Sequence, residues 1–342
     1  MGILRVVGTI DLKQFWPLGE SDADTTNILI KLAPNDPFTY AADGKKFKPT
    51  RAFRNTKVKG QYGAKPAISA KGILRIRLQG VDAPELHYQP TALLKSSGVT
   101  DATRKKYNAL RAKYRQNLAE SATVALWTHL ANKGKRVIVD CVGYTNVERP
   151  TDVFDVYGRF VGDLDVKLGK KIENVNRWLL TEGWVVPGFY ATMTIDEIDT
   201  ALSAYKAGKK LKGRVPKSFS TDTTKFDSKL VERKGSDVKA KGFKIGEDKG
   251  KVLNPKIFRR QVTWWAQNKA KVFKGGFGPY LDARKDSFHL LDEFRSDLNE
   301  AKFYRFTDFM KKGTLALQPD QPVYKEDASK LLDAQGKLVT KW

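Results

Sequence analysis

The sequence predicts a mainly β fold with added α: a closed barrel of five short strands with packed helices, then a small α-rich or α+β C-terminal domain. Three observations predict it. Short runs alternating apolar with polar residues recur from Leu4 to Val166. Helical spacing interrupts them once and follows them at the end. Beyond Lys206 the composition turns basic and poor in large apolar residues, then recovers a dense set of aromatics between Pro255 and Trp342.

The elements follow in order. A first strand pattern spans Leu4 to Phe15 and ends at Trp16-Pro17-Leu18-Gly19. An acidic turn, Glu20 to Thr25, leads into a second strand, Asn27 to Leu32. Residues 33–71 carry nine Lys or Arg against two Asp and read as a basic insertion or extended hairpin. Ile73 to Leu78 alternates apolar with basic, as a half-exposed strand does. Residues 101–132 repeat apolar positions at spacings of three and four, with Asp101 as N-cap. Strands at Arg136–Val142 and Tyr157–Val166 precede helices at Ile172–Glu182, stopped by Gly183, and at Ile195–Ala207. This order suits the OB arrangement, a five-stranded barrel with packed helices.

The expected domains are therefore 1–216 as the barrel, 217–251 as a basic linker and 252–342 as a second domain. Fifteen Lys or Arg face six Asp or Glu over 206–251, as in a solvated arm. Phe258, Phe288 and Phe306 are among the aromatics that imply a second core. Its role is left open between nucleic-acid and partner binding.

Composition sets the limits. The 342 residues suffice for one large or two ordinary domains, and the net charge is +24. Such an excess points to a polyanionic partner, because each phosphate contact releases condensed counterions. Charge alone leaves nucleic acid, anionic membrane and acidic protein open. The single cysteine, Cys141, excludes an intrachain disulfide framework and a thiolate zinc site. It reads as a small buried hydrophobe. His87, His129 and His289 form no metal-ligand spacing. The mean hydropathy is −0.48, and no apolar run nears the roughly 20 residues that span a bilayer. No leader pattern is visible, so a cytoplasmic protein is expected; removal of a leader would make it a secreted one.

Three fragments carry chemistry. Asp22-Ala23-Asp24-Thr25 puts two carboxylates on a turn between strands, and hard cations such as Ca²⁺ want several oxygen ligands. Arg77-Leu78-Gln79-Gly80-Val81-Asp82-Ala83-Pro84-Glu85 delivers an arginine, then an Asp and a Glu around a proline. Opposite Asp24, Asp82 would complete a two-carboxylate metal site. Glu85, just outside it, could polarise a water, and Arg77 would bind a phosphoryl group. Asp155-Val156-Tyr157-Gly158-Arg159-Phe160 opens another strand with a second arginine. Phosphodiester hydrolysis needs this set: a metal and cationic forks to neutralise the transition state, and a base or positioned hydroxide to attack. Arginine suits the clamp because its planar fork gives one phosphate two bonds. Alone, each fragment also fits a turn or surface ion pair; together and in order they favour a shared cause.

That order, an acidic turn, then Arg-x4-Asp-x-Pro-Glu, then Tyr-Gly-Arg, resembles the staphylococcal nuclease (thermonuclease-like) family. Ile172 to Leu180, leading into Glu182-Gly183-Trp184, resembles the segment after that family's last barrel strand. The resemblance covers roughly residues 4–215. It implies Asp24 and Asp82 as Ca²⁺ ligands, or ligands of another divalent cation, with the backbone carbonyl of Ala83. Asp22 and Thr25 would support them from behind. It implies Glu85 as general base, Arg77 as phosphate clamp and Arg159 as a second clamp near the leaving group. The implied activity is low-specificity endonucleolytic cleavage of DNA or RNA, leaving 3′-phosphate and 5′-hydroxyl ends. The alternative is a non-catalytic nucleic-acid-binding module on a nuclease-like barrel.

The chain departs from the family pattern in places. Ala23 replaces the acidic turn's glycine, which is tolerable unless that residue needs positive φ. Ala83 stands where threonine is usual, and the 33–71 insertion is long. For the family's base-stacking tyrosines the nearest candidates are Phe189 and Tyr190. Further along, Trp264-Trp265 beside Arg259-Arg260 suggests a stacking platform for nucleic acid.

Overall fold

The computed structural model describes residues 2–16, 21–30, 37–60, 63–132, 134–232, 250–297, 300–325 and 329–342. Five strands close on themselves: β1 (Gly2–Asp11), β2 (Thr25–Ile30), β3 (Ile73–Leu78), β4 (Ile138–Val147) and β5 (Phe160–Leu168). β1 pairs antiparallel with β2 and β4, β2 with β3, and β4 with β5, while β3 runs parallel to β5. The ring order β1-β2-β3-β5-β4 is a closed mixed barrel, compatible with the OB-like arrangement expected.

Alternation fills it. Leu4, Val6 and Ile10 of β1 point inward with Ile28, Leu74, Ile76, Cys141, Phe160 and Leu164, all buried. Each Val, Leu, Ile or Phe side chain among them contributes ~1.5–3 kcal/mol on leaving water. Gly143 faces this interior, where an added Cβ would stand 3.0 Å from Val6 and 3.1 Å from Ile76. Cys141 is a free buried thiol whose pKa burial pushes up to about 12. No helix among the described residues is long and apolar enough to cross a membrane.

Several boundaries differ from expectation. The first strand stops at Asp11, whose carboxylate caps a single turn, Leu12–Phe15, by accepting from Lys13 and Gln14 N–H. The expected helix over 101–132 is two helices, α1 (Asp101–Ala109) and α2 (Ala119–Ala131). Thr100 rather than Asp101 caps α1. Between the helices the backbone pairs elsewhere: Tyr114 exchanges both hydrogen bonds with Tyr88, and Gln116 N–H donates to the Glu85 carbonyl at 2.7 Å. These long-range bonds replace helical ones that local spacing favours. The helix expected from Ile172 begins later, as α3 (Val175–Thr181), capped by Asn174 after a short strand at Lys171–Asn174. α4 (Ile195–Gly208) starts on a Thr194–Glu197 capping box. The basic insertion contributes Phe38–Ala42, paired to β1, and the hairpin Lys57–Gly60 with Gly63–Pro66.

The C-terminal segment is woven into the barrel's flank, so residues 216 and 252 do not bound a separate body. β6 (Val186–Tyr190) pairs on one edge with Gly80–Asp82 and on the other, in parallel, with β8 (Pro322–Tyr324). β7 (Ser287–Leu290) extends this sheet, and Lys330–Leu332 pairs with the insertion strand Lys57–Gly60. An unpaired edge of β6 would leave N–H and C=O groups open, and the distant strand satisfies them. Leu291, Phe294, Val323 and Leu331 share the barrel's core. A second cluster, with Ile257, Phe258, Val262, Tyr280 and Phe306, recruits Tyr114 from before the α2 helix. The expected basic linker is hydrogen-bonded into the fold through Ser220, Thr223, Leu230 and Glu232; its stretch 233–249 lies outside the described residues.

Candidate active site at the rim of the barrel

The three fragments meet at one rim of the barrel. The turn before β2 is shaped by Asp22, whose carboxylate accepts the N–H groups of Asp24 and Thr25 at 3.1 and 2.8 Å. Ala23 is buried and is not among the residues with positive φ, so a glycine is not required there. Asp24 then points inward. Its Oδ1 accepts from Thr25 Oγ1 at 3.0 Å, and its Oδ2 from Ala83 N–H at 2.8 Å.

Arg77, at the end of β3, joins the two aspartates. Its Nη1 lies 2.9 Å from Asp24 Oδ2 and its Nη2 2.9 Å from Asp82 Oδ1. Nη1 also donates to the Asp24 carbonyl at 3.3 Å. The guanidinium is almost fully buried, as are both carboxylates. The turn of the third fragment is set by Asp155, whose Oδ1 accepts from Tyr157 and Arg159 N–H, with Gly158 at φ +80°. Asp155 Oδ2 accepts from Arg159 Nε at 2.7 Å, and Arg159 Nη1 donates to Thr25 Oγ1 at 3.2 Å. Thr25 thus links the acidic turn to the second arginine.

Glu85 sits one turn beyond Asp82, and its carboxylate meets a residue from 174 positions away: Arg259 Nη1 lies 2.5 Å from Glu85 Oε1. Arg259 belongs to α5 (Pro255–Lys269), in the segment expected to be separate. Gln116, from the break between α1 and α2, accepts the Glu85 N–H at 2.9 Å and donates through Nε2 to the Leu253 carbonyl at 2.9 Å. It fastens the Glu85 turn to the start of α5.

Burial and mutual charge shift these groups apart. Burial raises Asp22 to about 7, helped by the neighbouring Asp24 charge and opposed by His87. Burial likewise raises Asp82 to about 6 against the pull of Arg77. It works against the Asp24 carboxylate too, but Arg77 and the Ala83 N–H outweigh it and hold the pKa below the ordinary value. Glu85 is raised, by burial first, with Arg259 opposing. Such divergent carboxyls in one recess mark functional-site candidates.

Asp24 and Asp82 carry the kind of oxygen donors that a hard divalent cation takes. Asp24 and Asp82 are brought together by one guanidinium, Asp82 is a buried carboxylate that a cation would stabilise, and Ala83 stands against Asp24 through its N–H. Among the described residues no group of three or more His, Cys, Asp or Glu is arranged to hold a metal. Two carboxylates with one carbonyl would therefore leave most of a Ca²⁺ shell to water and substrate.

The aromatic candidates fare differently. Phe189 is fully buried, on the inward side of β6, and is not available for stacking. Tyr190 is half-buried against Tyr324, with ring centroids 6.2 Å apart, and lies close enough to Arg77 and Arg259 to affect their charge. Trp264 and Trp265 are not an open platform: the first packs on Phe277 and donates to the Gly275 carbonyl, and the second packs on Tyr114 and Phe226. Arg260 is held in a two-pronged pair by Asp286, at 2.6 and 2.7 Å.

Gln116 and Tyr324 belong to no motif in the sequence, and His87 to no metal-ligand spacing. His87 donates or accepts through Nδ1 with Glu232 at 3.1 Å, and its charge reaches Asp22. The proximity of His87 to the Asp82–Glu85 fragment was the one signal that could have drawn attention to it. A cavity of about 670 Å³, lined by Tyr144, Asn146, Asp163, Asn174 and Glu197, contains none of the candidate catalytic side chains. Neither family models nor curated proteins match the chain.

Proposed function

We propose that the chain is a divalent-cation-dependent phosphodiesterase of the staphylococcal nuclease type, cleaving DNA or RNA within the strand. The observation that carries the reading is Arg77 bridging Asp24 and Asp82 at 2.9 Å each, with Arg159 tied to the same turn through Thr25. Three fragments distant in sequence converge with the residue types that phosphoryl transfer needs.

Asp24, Asp82 and the Ala83 carbonyl would hold Ca²⁺. When bound, the cation supplies positive charge against the phosphodiester and lowers the pKa of a coordinated water. Glu85 takes a proton from the attacking water at a carboxylate oxygen, which its raised pKa favours. The new bond forms from that water oxygen to phosphorus, and the bond from phosphorus to the 5′ oxygen breaks. Arg77 stabilises charge on the phosphoryl oxygens, and Arg159 the charge growing on the leaving oxygen. The leaving 5′ oxygen takes a proton from solvent water and Glu85 returns its own to solvent, so the products carry 3′-phosphate and 5′-hydroxyl ends.

A second reading, nucleic-acid binding without hydrolysis, draws on the internal pairing of the site: Asp24, Asp82 and Glu85 each already face an arginine. One experiment separates the two. A plasmid and a single-stranded oligonucleotide are incubated with Ca²⁺, Mg²⁺ or EDTA, followed by end-group analysis. Cation-dependent cleavage with 3′-phosphate ends is expected; binding with no cleavage under any cation would leave the second reading.

A further inference from the structure

Taken together with the phosphodiesterase reading, which it deepens, the geometry points to Arg259 as a further catalytic residue. The C-terminal segment contributes the arginine whose open donors grip the substrate phosphodiester, and Arg259 leaves Glu85 free to act as base when it does so.

The three arginines around the carboxylates differ in their open donors. Each guanidinium carries five N–H groups. Arg77 is committed on both Nη atoms to Asp24 and Asp82, and its side chain is 7% exposed. Arg159 is committed through Nε and Nη2 to Asp155 and through Nη1 to Thr25. Arg259 is engaged through Nη1 alone among the described residues, and its side chain is 37% exposed. The edge formed by its Nε and Nη2 is the fork that matches two phosphate oxygens. Of the three arginines around the carboxylates, it is the one with a whole edge to offer.

Its position is fixed by contacts on both sides. Gln116 joins the Glu85 turn to Leu253, just before α5, and Asn254 caps that helix while donating to Tyr324 Oη at 3.1 Å. One turn past Arg259, the Thr263 hydroxyl lies 2.7 Å from the Tyr88 hydroxyl, three residues after Glu85. The helix is stitched to the 85–88 turn before and after Arg259. Its neighbour Arg260 is pinned away by Asp286.

Charge gives the same answer. Asp22, Asp24, Asp82 and Glu85 crowd one recess, and a polyanion approaching them meets repulsion unless cations outweigh it. Arg259 acts on both Glu85 and Asp82, so it stands where an incoming phosphodiester must lose that repulsion. Binding of a phosphate to the open edge offers Arg259 an alternative to Glu85, whose carboxylate is then available to water.

The test uses the full chain and four proteins: wild type, Arg259→Lys, Glu85→Gln, and Glu85→Gln combined with Arg259→Ala. Each is assayed for thermal stability, for kcat and KM on a single-stranded oligonucleotide, and for affinity to a fluorescent oligonucleotide. Arg259→Lys keeps the ion pair with Glu85 but loses the fork; kcat/KM is expected to fall about tenfold or more with Tm nearly unchanged. In the Glu85→Gln background the ion pair is already gone, so adding Arg259→Ala is expected to weaken oligonucleotide binding by about tenfold. Equal affinity of the two Glu85→Gln proteins, or full activity of Arg259→Lys, overturns the assignment and leaves the phosphodiesterase reading standing. Absence of cleavage by the wild type overturns that reading instead, while the binding comparison still decides whether Arg259 holds phosphate.

Discussion

Gln116 and Glu85 are joined twice: Gln116 N–H donates to the Glu85 carbonyl at 2.7 Å, and Gln116 Oε1 accepts the Glu85 N–H at 2.9 Å. The remaining end of the same side chain reaches Leu253. A buried amide therefore sets the distance between the proposed base and the start of α5.

Replacing Gln116 by Ala should leave the Glu85 N–H and the Leu253 carbonyl without their partner. A buried group left unpaired costs roughly 1–3 kcal/mol. Urea unfolding should register that loss in the midpoint with little change in slope. A Gln116→Ala protein as stable as wild type would mean that water replaces the amide without penalty.

Removing residues 252–342 should do more than delete an appendage. β6 would lose its parallel partner β8, and the buried Phe189 would lose Val323 beside it and Leu291 from the shared core. We expect the truncated chain to lose cooperative thermal unfolding and to aggregate on heating. A sharp transition at the wild-type temperature would make the barrel self-sufficient.

Ca²⁺ should stabilise the protein through Asp24. A ligand that binds only the folded state at 100 times its Kd contributes about 2.7 kcal/mol. Thermal scans in Ca²⁺ and in EDTA should therefore differ for wild type and converge for Asp24→Ala. An equal Ca²⁺ effect on both proteins would place the cation elsewhere.

Activity should follow the fork and the base separately. Glu85→Gln is expected to lose about 10²–10⁴ in rate with little change in substrate affinity. Arg159→Lys cannot reproduce the two contacts to Asp155 and the third to Thr25, and a loss of about 10²–10³ is expected. Full activity in Arg159→Lys would remove this residue from the clamp.

Away from the site, Asp163 carries a pH dependence of its own. Burial raises its pKa from the ordinary 3.8 to about 6, although Asn174 donates to it at 3.1 Å. With the folded value above the unfolded one, its contribution is fully present below about pH 4 and fades as pH rises through 6. Asp163→Asn should gain stability relative to wild type across that interval and keep a constant advantage above it. Parallel stability curves from pH 4 to 8 would contradict the shift.

Much of the barrel was legible because its signals are local. Leu4, Val6 and Ile10 alternate with outward neighbours, and Leu74 and Ile76 with the half-buried Ile73 and Arg75, so period-two patterning reports which face is inside until Arg77, which is buried at the site. The acidic turn, the Arg77–Glu85 fragment and the Asp155–Arg159 turn were each readable, since one backbone segment carries each set. Spacing misled between Leu110 and Leu118, where helical periodicity persists but Tyr114 and Gln116 pair with Tyr88 and Glu85 instead.

The sequence by itself determined the strand pattern, the basic charge and the residue types at the site. Only the tertiary structure decided that Arg77 serves both aspartates, that Phe189 is core, and that Arg259 faces Glu85. The physical reason is range. Alternation, capping and turn chemistry act over a few residues and leave a mark in every short window. Edge pairing and ion pairing over 174 residues depend on where the chain returns, and no local pattern records that return.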